Sequence, residues 1–226
     1  MKKYAVIVAG GSGMRMGTAV PKQFLDLRGK PVLWYTINTF LESYSDLEVI
    51  LVLPEAHLET GLEIIRDSMD PDRVWMTVGG ATRFHSVKNG LDHIQQHSIV
   101  LVHDGVRCLL STDLVQRCVE EAMAYGNAIP AIAAVDTIRI DTIGGNEMID
   151  RNKVRIIQTP QTFYSDLIKA AFEQDYEENF TDEASVVERL QVKIHLVEGE
   201  STNIKITRPL DILIAEKILE EREMGL

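Results

Sequence analysis

One short stretch holds the residue types needed to bind a polyanion. From Val6 to Gln23 the chain reads VIVAGGSGMRMGTAVPKQ. Gly10, Gly11 and Gly13 follow directly on an apolar run, and Arg15 and Lys22 come after them, the lysine preceded by Pro21. Glycine reaches positive φ and lets backbone N–H groups approach a ligand with no Cβ in the way. Successive N–H groups in such a turn form a concave nest for anions. Two fixed cations beside that nest would neutralise a polyphosphate. The dinucleotide fingerprint is not met, because Met16 stands where the last glycine of G-x-G-x-x-G belongs and Gly17 comes one residue late. No window supplies the G-x-x-x-x-G-K-[ST] of a P-loop. Taken alone, a glycine turn is equally compatible with a structural role.

Further segments offer matching chemistry. Gly79-Gly80-Ala81-Thr82-Arg83-Phe84-His85-Ser86 puts paired glycines where a strand should end and a helix begin. Val102-His103-Asp104-Gly105-Val106-Arg107 closes an apolar strand, and open α/β sheets place ligands at the carboxyl ends of strands. A carboxylate facing a phosphate cradle suits Mg²⁺, which takes one or two protein carboxylates and completes its shell with water and phosphate oxygens. The structural alternatives are a turn cap for Asp104, a surface serine for Ser86 and a salt-bridged side chain for Arg83. His103 lies within the strand and reads as structural. Thr181-Asp182-Glu183-Ala184-Ser185 reads as a helix N-cap with an acidic first turn.

These residues need a scaffold, and the pattern around them alternates strands with amphipathic helices. That argues for a layered α/β fold with a largely parallel sheet. Strands are expected at residues 4–9, 48–53, 74–78, 99–103, 128–135 and 193–197. Helices are expected from Pro31 (with Leu33, Ile37, Phe40, Leu41 and Tyr44 on one face) and over 58–69, 84–95, 112–125, 164–173 and 182–190. A last helix starts at Pro209 with Asp211 in its first turn. Residues 137–156 alternate polar and apolar types around Gly144-Gly145-Asn146, a hairpin signal. An isolated hairpin is marginal, so this arm packs in cis or on a partner across a twofold axis.

The 226 residues suit one α/β domain over 1–226, with the arm at about 137–157. No apolar run approaches the ~20 residues of a membrane span. The apolar run after Lys2 and Lys3 is shorter than the ~7–15 residues of a signal-peptide core. Cys108 and Cys118 form no framework and no metal spacing, which points to a reducing, cytoplasmic setting. The formal net charge of −11 disfavours nucleic acid and anionic membranes as partners. It also makes each local cluster of cations more informative.

The G-G-x-G-x-R-M-G…P-K-Q run resembles the signature loop of the small cytidylyltransferases, the methylerythritol-phosphate branch most closely. The resemblance extends from residue 5 to about 215 through six motifs. It implies a three-layer, Rossmann-like nucleotidyltransferase fold with a mostly parallel sheet and a protruding β-arm through which the family dimerises. It implies CTP and a polyol phosphate as substrates, with Mg²⁺ held by Asp104. Arg15, Lys22, Arg151 and Lys205 would then be catalytic. Substrate would be bound by Ala9, Gly10, Gly11, Gly13, Gly80, Ala81, Ser86, Asp104, Gly105, Arg107, Thr137, Thr159 and Thr181. Thr137 and Arg151 would reach the partner's site from the arm. Ala81 stands where the family often has Asp, and Cys108 where proline is usual. Ribitol-phosphate cytidylyltransferases share much of the pattern; T-D-E-A-S and the arginine-bearing arm favour the methylerythritol branch. Sugar-1-phosphate nucleotidylyltransferases use a similar loop but are longer. A non-catalytic nucleotide binder on this fold would have lost Arg15, Lys22 or Asp104, and all three are present.

Overall fold

The computed structural model describes residues 1–11 and 20–225. Gly13 and Arg15 lie outside the described residues. The first strand, β1 (Lys3–Val8), is buried on both faces. Ala5 and Ile7 point into one apolar cluster, while Val6 and Val8 point into another. A short antiparallel pair, β2 (Asp26–Leu27) and β3 (Lys30–Pro31), leads into α1 (Val32–Ser43). The rest follows in alternation: β4 (Leu47–Leu53), α2 (Leu58–Arg66), β5 (Val74–Val78), α3 (Arg83–Leu91), β6 (Ile99–Asp104), α4 (Thr112–Tyr125) and β7 (Asn127–Ala133). The hairpin β8 (Ile138–Thr142) and β9 (Gly145–Ile149) comes next, then β10 (Arg155–Ile157), β11 (Gln161–Tyr164), α5 (Ser165–Ala171), α6 (Glu183–Glu188), β12 (Leu196–Glu198) and α7 (Pro209–Glu223).

The central sheet runs β10-β7-β11-β6-β1-β4-β5, with β12 also paired to β7. The four strands β6, β1, β4 and β5 are mutually parallel, and β11 runs antiparallel to both β6 and β7. One face is filled from α1, α2 and α4 and the other from α3, α5 and α6, which makes three layers. Residues after β1, β4, β5 and β6 form one rim, because the register pairs Val8 with both Val52 and Asp104, and Leu53 with Val78.

Several expected boundaries shift for physical reasons. The helix expected to reach Gln95 ends at Leu91; Ile94 N–H turns back to Leu91 O while Ile94 stays buried, so the apolar period outlasts the helix. The late strand begins only at Leu196, because the Asn127 side chain takes over the ladder before it. It donates to Lys193 O at 3.0 Å and accepts from His195 N at 2.8 Å. The sequence reading missed β11 altogether. Its Gln161 and Thr162 are polar yet fully buried, and Gln161 is satisfied by Asp182 and by the Ala184 N–H. The arm proper spans 138–149, and residues 155–157 belong to the main sheet through β7.

Gly90 lets α3 lie close on β1 and β4. A Cβ there would stand 2.5 Å from Val6 Cγ1 and 3.1 Å from Val52 Cγ2. Overpacking of this kind costs ~1–3 kcal/mol, against a gain of up to ~1 kcal/mol in helix propensity. Gly90→Ala should therefore lower the unfolding free energy by about 1–2 kcal/mol in urea titration; a stabilised variant would contradict the packing.

Candidate active site

The rim encloses a cavity of about 530 Å³. Ala9, Gly10, Gly11 and Lys22 line one side, and Gly79, Gly80, Ala81 and Ser86 line the other, with Asp104 and Lys205 at the base. A second cavity of about 180 Å³ adjoins it, lined by Arg107, Gln158, Thr159, Gln161, Thr181 and Asp182 among others. Arg83, Asp104 and Lys205 line both. The structure thus brings together most of the expected residues, in two groups that share one charged wall. Thr137 and Arg151 are exposed at the base of the arm and line neither cavity. Gly105 lies behind the wall: a Cβ there would stand 2.9 Å from Ala9 Cβ, so it serves close packing under the glycine turn.

Each side of the larger cavity is shaped by backbone. Gly10 has open space where a Cβ would be. Lys22 is 9 % exposed. The neighbouring Gln23 donates from Nε2 to Ala9 O at 2.8 Å and ties the lysine segment to the end of β1. Opposite, the Ser86 hydroxyl accepts from Gly80 N–H at 3.1 Å and donates to Thr82 O at 3.0 Å. Gly80 is required here, since a Cβ would meet His85 Cβ at 2.4 Å. Ser86 is 8 % exposed and lines the cavity, so it is no surface residue.

Asp104 is the electrostatic centre. Lys205 Nζ lies 2.8 Å from its Oδ2, and Nε and Nη2 of Arg83 each lie 3.3 Å from Oδ1. Arg107 Nε lies 3.8 Å from Oδ2. Burial pushes the carboxyl's pKa up, but Arg83, Lys205 and Arg107 outweigh it and hold the group well below the usual carboxylate range. Arg83 is in turn bound by both terminal nitrogens to Glu183, which is 0 % exposed. Arg107 donates to Asn203 O at 2.8 Å, and Asn203 donates from Nδ2 to Thr159 O at 2.9 Å. The Thr159 hydroxyl accepts from Asp104 N–H at 3.2 Å. Cys108 is buried with Leu27, Val32 and Leu109, so the core takes the thiol and Arg107 keeps its place beside Asp104.

His103 is fully buried, with Nε2 3.1 Å from Arg107 O and Nδ1 2.9 Å from the Thr159 hydroxyl. It lines neither cavity and, through Thr159 and Arg107, braces the second one from behind. The sequence alone assigns no role to Glu183, inside the T-D-E-A-S segment, or to Asn203, two residues before Lys205. Their signal was a polar residue inside a short motif, and only the fold shows that each is buried under the site.

Residues 4–221 match the family model for 2-C-methyl-D-erythritol 4-phosphate cytidylyltransferase, IspD. The chain is 44 % identical over 219 residues to the enzyme of that name from Bacteroides fragilis, covering 97 % of this chain and 100 % of the relative. It is 42 % identical to that of Bacteroides thetaiotaomicron, with the same coverage. Among solved structures it resembles 4-diphosphocytidyl-2C-methyl-D-erythritol synthase from Anaerococcus prevotii, with a TM-score of 0.83 and 29 % identity over 97 % of this chain and 98 % of that one.

Burial lowers the pKa of His103 to about 3. In the unfolded chain the imidazole takes a proton below pH ~6.5, whereas the folded chain refuses it until about 3. Its contribution to stability is complete above pH ~6.5 and is lost as the pH falls, at ~1.4 kcal/mol per unit. Between pH 6.5 and 5 the loss should reach ~2 kcal/mol. In urea unfolding without divalent cations, His103→Gln should show a shallower decline over that range than the parent chain. Glu183 and Asp104 titrate in both proteins, so identical slopes would refute the assignment.

Proposed function

The chain belongs to the 2-C-methyl-D-erythritol 4-phosphate cytidylyltransferase family, and on that premise we propose that it transfers CMP from CTP to 2-C-methyl-D-erythritol 4-phosphate. A phosphate oxygen of the polyol phosphate forms a bond to the α-phosphorus of CTP. The bond from that phosphorus to the bridging oxygen of the β-phosphate breaks, and pyrophosphate leaves with the electron pair. The products are 4-diphosphocytidyl-2-C-methyl-D-erythritol and pyrophosphate. The observation that supports this most directly is the pair of adjoining cavities sharing the Arg83–Asp104–Lys205 wall. One is large enough for a nucleotide and the other suits a small phosphorylated polyol.

The nucleophile is already an anion near neutral pH, so no general base is needed, and His103 is neutral and withdrawn. The difficulty is to bring two polyanions together and stabilise charge as the bond forms. Preorganised cations achieve this in phosphoryl transfer. Lys22 faces the nucleotide cavity beside the glycine turn. Lys205 and Arg107 face the acceptor cavity. Gly80, Ala81 and Ser86 offer backbone groups and a hydroxyl to the base. The part given to Arg15 and Gly13 rests on the sequence motif.

The residues present fit one magnesium ion. Asp104 offers a hard oxygen donor, is kept ionised, and lies where the two cavities meet. Among the described residues no three His, Cys, Asp or Glu side chains cluster as a metal site. Phosphate oxygens and water would therefore complete the shell. When bound, the ion would neutralise charge on the triphosphate.

The same reading makes the chain a homodimer. The arm pairs only with itself among the described residues, and it exposes Ile140, Ile143 and Met148 at 44, 111 and 68 %. A second copy would cover these apolar side chains and receive Thr137 and Arg151 at its acceptor cavity. The buried free thiols of Cys108 and Cys118 support a cytoplasmic setting. No described helix is long and apolar enough to cross a membrane.

Pyrophosphate release from CTP with Mg²⁺ should occur with methylerythritol 4-phosphate and be at least tenfold slower with ribitol 5-phosphate. The reverse preference would move the chain to the other branch. Lys22→Ala should lower turnover roughly 10²-fold, the scale of losing one such stabilising group; near-normal turnover would remove Lys22 from this role. Mixing inactive Arg151→Ala and Asp104→Asn subunits should restore about one quarter of parental activity. Random twofold pairing gives half heterodimers, each with one complete site. No recovery would mean that Arg151 does not act across the dimer.

A further inference from the structure

Arg83 stands between two buried carboxylates and treats them differently. Both its terminal nitrogens donate to Glu183, Nη2 reaching Oε2 at 3.1 Å. Towards Asp104 it offers Nε and Nη2, and both approach the same oxygen, Oδ1, at 3.3 Å. The other oxygen, Oδ2, is left to Lys205 at 2.8 Å, with Arg107 Nε farther off at 3.8 Å. A guanidinium beside an unopposed carboxylate closes into a two-oxygen fork. Here Glu183 occupies the fork instead.

Glu183 is held so that it cannot follow the arginine. It is the first residue of α6, and Asp182 caps that helix by accepting from Ser185 N–H at 2.9 Å. Gln161 on β11 ties the same turn from two directions, donating to Asp182 Oδ2 and accepting from Ala184 N–H, each at 2.8 Å. The side chain of Glu183 is 1 % exposed, against 30 % for Arg83. Glu183 lines neither cavity. A simple structural ion pair would require no third partner, yet this one is coupled directly to the carboxylate both cavities share.

We propose that Glu183 is a positioning residue: by holding the guanidinium of Arg83 it restricts that side chain to Oδ1 of Asp104 and keeps Oδ2 turned to the cavity. Oδ2 is then available to Lys205 at rest and to a cation accompanying the triphosphate in turnover. Without the charge on Glu183, Arg83 slides onto both oxygens of Asp104 and takes the open position. This inference rests on the role given to Asp104 above.

Four variants test it: Glu183→Gln, Glu183→Asp, Asp104→Asn, and Glu183→Gln combined with Arg83→Gln. Assays run well below each variant's midpoint of thermal unfolding. Glu183→Gln should lower kcat at least tenfold while KM for CTP moves less than threefold, because the glycine turns that hold the nucleotide are untouched. Mn²⁺ binding in the presence of CTP, followed by water-proton relaxation, should weaken at least tenfold in that variant. Glu183→Asp should recover part of both losses. The double variant should be more active than Glu183→Gln alone, because the blocking guanidinium is gone. If Glu183→Gln keeps parental kcat and Mn²⁺ binding, or if the double variant is worse than the single one, the inference is wrong. If Asp104→Asn itself retains normal turnover, the underlying reading of Asp104 fails instead.

Discussion

An ionised carboxylate must survive at the end of a strand buried along its whole length. Asp104 closes β6, whose six residues are all buried. Taking a carboxylate out of water has an effective penalty of several kcal/mol, and close cations repay it only with good geometry. The three around Asp104 come from three parts of the chain. Arg83 stands at the start of α3, Arg107 follows β6 by three residues, and Lys205 lies between β12 and α7. No local segment could assemble this wall. It exists only when the sheet, α3 and the segment before α7 are all in place, so the site depends on long-range structure.

The sheet's change of direction next to β6 gives the wall its second side. Four parallel strands end on one level and supply the rim of the larger cavity through Ala9, Pro54, Gly79 and Asp104. A further parallel strand at that edge would carry its own following loop to the rim. Instead β11 runs the other way, pairing Gln161 with Val102, and delivers the residues that precede it. Thr159 therefore meets the Asp104 N–H, and Gln158 and Gln161 become walls of the smaller cavity. One antiparallel strand converts a single crevice into two cavities back to back.

The parallel half of this arrangement was legible in the sequence. Strands rich in Val, Ile and Leu and buried on both faces, such as β1, β4 and β6, announce themselves, and the edge strand at 74–78 and the helix at 112–125 matched to the residue. The rim was legible too, although a glycine turn by itself fits a structural role equally well: it was the cations and the carboxylate near the two glycine pairs that pointed to a ligand. The antiparallel half was not. β11 is four residues long and starts with Gln and Thr, and the burial of Gln161 is stabilised by hydrogen bonds to the start of α6. Polar core residues leave no hydrophobic period to read. For the same reason Glu183 passed as an acidic first-turn residue, a role compatible with its position, while its partner lay 100 residues away in sequence.

The cations of the site are paired within a chain whose formal net charge is −11. Arg83, Arg107 and Lys205 converge on one point, and unopposed like charges at such separations repel strongly in a low-dielectric setting. Asp104 and Glu183 oppose them, leaving a small positive excess in an otherwise negative field. A triphosphate entering the cavity competes for the same cations. The partner able to answer is the one least anchored. Lys205 is 41 % exposed in its side chain against 12 % for Asp104, whereas Arg83 is fixed by Glu183 and Arg107 by Asn203. On the function proposed above, Lys205 is the cation that would turn from carboxylate to phosphate, while the two arginines would keep Asp104 charged.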